Sequence, residues 1–241
     1  MQKLEYDRDE IIRAITAVDE TCGKPSVSRE YITVKLFAKR AMFAQPQFRV
    51  NKKTYKIPPF STIRNALQSI YAHPGMNWVP VFCGIRNPIK IETVATNGLQ
   101  FVDRANPQKP INASSVNQKQ LFSTEYLRDV EYYIKAYIVT RPNYMGQNDS
   151  LSKFNEIAKR RIEKGQCYEN PCLGPKECVT YFAPIDDSEW MDPNLFQDIT
   201  EDCGYMPFDF KYNNGETHIP MYKHMMVQKG KIFYLNGEVV L

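Results

Sequence analysis

Two helix-period segments sit inside a chain that otherwise alternates like a strand, and their order leaves few folds open. Ile63, Leu67 and Ile70 form an apolar stripe between Ser61 and about Ala72. Phe154, Ile157, Ala158 and Ile162 form another between Ser152 and about Lys164. Spacing of three and four places such residues on one helix face. Ser61 reads as the cap of the first helix, Pro74-Gly75 as its stop, and Gly165 as the stop of the second. Around them, Tyr31–Phe43, residues 78–86 and 89–95, Asp129–Thr140 and Cys178–Ala183 read as strands. In Asp129–Thr140, Tyr133, Lys135 and Tyr137 share one face, and Tyr132, Ile134, Ala136 and Ile138 the other. The order strand, helix, three strands, helix, strand predicts an α+β, ferredoxin-like domain. That is also the topology of the RNA-recognition motif, in which both helices cover one sheet face and the other meets RNA.

Three regions follow. Residues 1–30 read as a helical extension and linker: Ile11, Ile12, Ile15 and Val18 stripe a helix over Asp9–Glu20, which Gly23 and Pro25 end. A helix that short is marginal alone, so it is expected to be ordered only by docking, on its own body or on a partner. Residues 31–183 form the main domain, with a basic, proline-containing loop over Gln45–Pro59 and a polar insertion over 97–120. Residues 184–241 read as an acidic loop followed by a small antiparallel β subdomain with strands at Tyr205–Tyr212, His218–Val227 and Lys231–Leu235.

Charge is segregated along the chain. From Tyr31 to Ile91 there is no Asp or Glu, while Lys35, Lys39, Arg40, Arg49, Lys52, Lys53, Lys56, Arg64, Arg86 and Lys90 are basic. Between Glu177 and Asp209 the pattern inverts, with nine acidic residues and no Lys or Arg. A stretch that excludes carboxylates favours a polyanion, and its interleaved rings (Tyr31, Phe37, Phe43, Phe48, Tyr55, Phe60, Tyr71, Trp78) suit stacking on bases. Core aromatics under a solvated basic face would produce the same pattern. The RNA-binding candidates are Lys39, Arg40, Arg49, Lys52, Lys53 and Arg64, with Arg160 and Arg161 on the second helix.

Other functions have little support. The six cysteines lack zinc-finger spacing, and His73, His218 and His224 are too few for a His-based metal site, so reduced thiols, no metal and no cofactor are expected. There is no P-loop, G-x-S-x-G or H-E-x-x-H motif. No apolar run is long enough to cross a bilayer and no secretory signal is visible, so a cytoplasmic location is expected. A basic site poor in metal ligands leaves one reaction open: attack of an RNA 2′-hydroxyl on its own phosphate, helped by proton transfer and fixed cations. Tyr71 and His73 end the first helix and Lys153 opens the second. A ferredoxin-like fold allows these ends to meet. On spacing alone, a core tyrosine and a solvated helix face are the simpler reading.

Longer motifs carry a resemblance. Arg40-Ala-Met-Phe-Ala-Gln-Pro46, Arg49-Val, Thr54-Tyr-Lys-Ile-Pro58, Ser61, Leu67-Gln-Ser-Ile-Tyr-Ala-His-Pro74, Leu127-Arg-Asp-Val-Glu-Tyr-Tyr-Ile-Lys-Ala136, Arg160-Arg-Ile-Glu-Lys-Gly-Gln-Cys167 and Pro171-Cys-Leu-Gly-Pro-Lys-Glu177 stand in order over residues 31–235. Together they resemble the CRISPR-associated family-five protein of subtype I-C (the Dvulg type). The resemblance implies an RNA-binding subunit of Cascade, the crRNA-guided surveillance complex. Such a subunit cuts precursor crRNA in its repeat without metal and retains the 5′ handle. It also implies as partners the family-seven backbone and the large family-eight subunit, with target DNA reached only through the complex, and no membrane. Members use a Tyr at the end of the first helix and a Lys-His pair opening the second. Tyr71 matches the Tyr and Lys153 the Lys, but Phe154 stands where the His would be. His73 stands where a Lys is frequent and is the candidate to take over part of the missing His's role, Asn65 stands where a Gly is frequent, and Lys176 replaces an Arg, losing a bidentate phosphate fork. The same fold without the proton-moving His would serve as a non-catalytic scaffold capping the handle.

Overall fold

Alternation in the first strand sets the architecture. In β1 (Ile32–Ala41), Ile32, Val34, Leu36 and Ala38 are buried, while Phe37 and Lys39 are exposed. In a computed structural model describing residues 7–18, 23–99, 119–213, 217–235 and 239–240, β1 pairs antiparallel with β4 (Lys119–Thr140) on one side and β5 (Tyr181–Ala183) on the other. β2 (Met76–Ile85) flanks β4, giving the order β5-β1-β4-β2, the spatial order of a split βαβ unit. Helices α1 (Arg8–Val18), α2 (Phe60–Ile70) and α3 (Leu151–Glu163) pack on this sheet. Ser61 lies in the first turn of α2 rather than at its cap, which is Pro59. In α3, Ser150 is the cap and accepts the Lys153 N–H. Proline at 59 pre-sets the backbone there and leaves no side chain free to cap. Cys178 falls in the turn before β5, its N–H bonded to the Pro175 carbonyl, rather than in the strand.

β4 is longer than its apolar alternation suggested. Its first half pairs with β3 (Ile91–Leu99) from Leu127 to Lys119, so residues 97–99 and 119–120 are strand; the rest of the expected polar insertion lies outside the described residues. Asp129, at φ 53°, marks the irregular step between the two halves.

The C-terminal strands continue the same sheet. β8 (Lys231–Phe233) pairs with β2, and β7 (Thr217–Gln228) with β8, β6 (Glu201–Asn213) and β9 (Val239–Val240). The expected boundary at 183/184 therefore falls between members of one sheet. Rings seal the join: Phe60 stacks on Phe208 at 4.4 Å, and the Tyr234 hydroxyl donates to the Pro58 carbonyl at 2.9 Å.

The sheet face opposite the helices is not open along its length. Residues 185–196, which include the short helix α4 (Asp187–Trp190), cross it and set Trp190 and Phe196 against Tyr133 and Phe82. A Cβ at Gly84 would lie 2.1 Å from the Phe196 ring, so this crossing requires glycine there. Lys135 is held among Tyr31 and Trp190 at 4.8 and 4.5 Å. The middle of the face that an RNA-recognition motif offers to RNA is thus covered by the chain itself.

Helix α1 belongs to this body. Ile11 and Ile15 are buried in the main core, and the helix packs on β6 and β2. The Val18 side chain lies outside the described residues. Two buried isoleucines contribute about 3–6 kcal/mol as an upper estimate. Deleting residues 1–22 is therefore expected to lower the melting midpoint, by about 2–4 °C per kcal/mol lost in a domain of this size. An unchanged midpoint in differential scanning fluorimetry would refute this placement. Among the described residues no helix is long and apolar enough to cross a membrane.

Candidate RNA-processing site

The end of α2 and the start of α3 converge. Tyr71 is the C-cap of α2, in extended conformation, with its N–H on the Leu67 carbonyl and its own carbonyl accepting the Trp78 indole N–H at 2.8 Å. Its ring is buried beneath Arg161, whose guanidinium carbon is 5.0 Å from the ring centre and whose Nη1 donates to the Ile70 carbonyl at 2.9 Å. Burial raises the Tyr71 phenol from its ordinary value of 10.0; Arg161 opposes the rise and Asp149 adds to it. The phenol is thus held neutral near pH 7, as a hydrogen-bond donor.

Asp149, which sequence reasoning missed, joins the other two candidates. Its Oδ2 lies 3.6 Å from His73 Nε2 and accepts the Gly146 N–H at 2.9 Å; its Oδ1 lies 3.4 Å from Lys153 Nζ. The Gly146 N–H is the main cause that lowers the Asp149 pKa, with Lys153 and His73 assisting. Lys153 Nζ also donates to the Asn148 carbonyl at 3.2 Å. His73 Nδ1 accepts the Gly75 N–H at 3.1 Å, while its Nε2 faces Asp149 beyond hydrogen-bond distance. Phe154 is fully buried with its ring 4.9 Å from that of His73. Asp149 therefore joins His73 to Lys153, and Tyr71 stands two residues before His73 at the same end of α2. A loop aspartate four residues before a lysine was a visible signal, but nothing local tied it to His73.

The basic stretch behaves differently in space than in sequence. Six of its ten cations meet carboxylates from elsewhere: Lys35 with Glu189, Arg40 with Glu92, Lys53 with Glu125, Lys56 with Glu201, Arg64 with Asp209 and Arg86 with Asp192. Four of those acids come from the acid-rich 177–209 segment. Much of the segregation is thus internal complementarity. Arg64 is a correction: it is buried against Asp209, out of reach of a surface phosphate. Arg40 makes a bidentate contact with Glu92, at 3.0 and 2.9 Å. Arg161 braces Tyr71. Lys39, Arg49, Lys52 and Arg160 are exposed and have no carboxylate partner among the described residues. The loop carrying Arg49 and Lys52 is pinned to β4 by hydrogen bonds of Lys52 N–H to Ser123 and Glu125 N–H to Lys52, both at 2.9 Å. Among the described residues no group of three or more His, Cys, Asp or Glu is placed to hold a metal ion, and five cysteines are unpaired thiols.

Comparison with known proteins identifies relatives of the chain as a whole. A family model described as "CRISPR-associated protein (Cas_Cas5)" matches residues 31–232. A protein of Mannheimia succiniciproducens named "CRISPR pre-crRNA endoribonuclease Cas5d" is 29% identical over 200 residues, 77% of this chain and 87% of that one. Its namesake in Thermus thermophilus is 29% identical over 218 residues, covering 83% and 89%. A crystal structure described as a CRISPR-associated protein superposes with a TM-score of 0.67 at 21% identity, over 91% of this chain and all of that one, and so shares the fold.

Proposed function

We propose a function from one premise: this chain belongs to the CRISPR-associated protein family whose model spans residues 31–232. It is an endoribonuclease that cleaves precursor crRNA at the 3′ base of the repeat hairpin and stays on the 5′ handle as a subunit of a type I-C Cascade. Its place of action is the cytoplasm, where the precursor is transcribed. The observation that carries the catalytic reading is that Asp149 joins Lys153 at the start of α3 to His73, two residues past Tyr71 at the end of α2. The 2′-oxygen attacks the adjacent phosphorus, the 5′-oxygen leaves, and the products are a 2′,3′-cyclic phosphate and a 5′-hydroxyl. Lys153 offsets charge on the phosphoryl oxygens, and Tyr71 donates a hydrogen bond to the phosphate or to the departing oxygen. Arg161 holds the Tyr71 ring in place.

A second reading has its own support. Phe154 cannot move a proton, and His73 Nδ1 is already taken by the Gly75 N–H. On that reading the chain caps the handle without cutting. Incubation of the purified chain with repeat RNA in EDTA separates the two. A single cut with a cyclic-phosphate end, insensitive to chelation, is the expected result. Tight binding with no cut at stoichiometric protein establishes the scaffold.

A further inference from the structure

A cleft of about 520 Å³ adjoins the catalytic corner and shares His73 with it. Gln68, Asn77, Trp78, Arg141 and Tyr168 are among the residues that line it. Tyr168 is 82% exposed although its backbone is fixed, its N–H donating to the Ser69 carbonyl at 2.9 Å. The half-buried side-chain amides of Gln68 and Asn77 hydrogen-bond to nothing among the described residues. Arg141 is anchored by Nη1 donating to the Pro74 carbonyl at 3.2 Å and by its stack on Tyr144 at 4.1 Å.

From this we infer that the cleft is a nucleotide subsite, holding one unpaired base of the repeat beside the scissile phosphate. The inference rests on the RNA-processing reading and adds the residues that choose the base. A presented ring offers a stacking face, and each amide offers one acceptor and two donors, the equipment for reading a base edge. An anchored guanidinium suits the phosphate joining that base to the next. The volume lies in the range of single-ligand sites and holds a base with room for its sugar. A peptide would need a longer groove, and an isolated anion would not need two amides and a ring.

The test is binding of the full chain to repeat RNAs in which one abasic nucleotide is walked through the hairpin's flanks. Wild-type affinity should fall about 5- to 150-fold at one flanking position, as for loss of one stacked base. Tyr168→Ala should lose a similar factor on intact RNA, with an unchanged melting midpoint, and nothing further at that abasic position. Gln68→Ala and Asn77→Ala should flatten the preference among the four bases there. Wild-type affinity for Tyr168→Ala, or losses that multiply with every abasic site, would overturn the subsite while leaving the function intact. Failure of the wild type to bind any repeat RNA would overturn both.

Discussion

Tyr71→Phe is expected to slow cutting of repeat RNA by about 100-fold or more, the range for loss of one positioned proton-handling group. RNA affinity should be unchanged. The hydroxyl lost is a buried phenol that keeps its proton at neutral pH, so what disappears is a donor to charge developing in the transition state. Lys153→Ala should cost a similar factor by removing the cation. Asp149→Ala removes neither group but frees the lysine, and should cost up to about 100-fold through misplacement. It should also leave RNA binding equal or tighter, since a carboxylate beside phosphate is repulsive. With Phe154 where the resemblance places a histidine, hydroxide is the expected acceptor of the 2′ proton. Turnover should be slow and rise with pH until the phenol ionises, above its ordinary value of 10.0. Single-turnover rates from pH 6 to 10, with affinities measured separately, check each point. Full activity in the Tyr71→Phe, Lys153→Ala double variant would remove these residues from the mechanism.

How much of this was legible depended on whether the signal was local. The helices were readable because stripes such as Ile63, Leu67 and Ile70 report burial on one face, and the strand order followed from them. What the local pattern did not show was which distant groups answer its charges and cover its faces. In the acid-free stretch, Lys35, Lys56, Arg64 and Arg86 are answered by acids more than a hundred residues later, while Lys39, Arg49 and Lys52 stay exposed. The open sheet face was expected from topology, but Trp190 and Phe196 cover Tyr133, and nothing local marks them as a cover. At the site, Tyr71 and Lys153 were found by motif, while Asp149 emerged only when the loop before α3 met the end of α2. The separate C-terminal unit rested on the acidic loop between; the pairing of β8 with β2 crosses that loop.

The Arg64–Asp209 pair carries the largest expected effect on stability, and the effect should be unequal between its ends. The pair ties α2 to β6 with side-chain exposures of 7% and 0%, and Arg64 Nε is buried without a partner among the described residues. Breaking a buried pair typically costs about 3–5 kcal/mol, because the survivor stays charged in a poor solvent. Asp209 has an exit that Arg64 lacks. Burial already pushes its carboxyl from 3.8 up to about 6, with Arg64 and the Phe210 N–H pulling the other way. Alone, it takes a proton and is neutral. A guanidinium cannot be neutralised so. Asp209→Ala should therefore destabilise more than Arg64→Ala at pH 7, and the gap should widen at pH 5, where the lone carboxyl protonates at less cost. In the wild type the sign is fixed by the upward shift: the folded state binds the proton more tightly than the unfolded one, so this group's contribution to stability falls as pH rises from about 4 to about 6. Asp209→Asn should remove that slope. Arg64→Met with Asp209→Leu should recover most of the loss, since apolar packing can replace a buried pair at little net cost. Urea unfolding of the single variants at both pH values decides the matter; equal penalties at pH 7 would mean that Asp209 gains nothing from protonation and that the pair is held by packing alone.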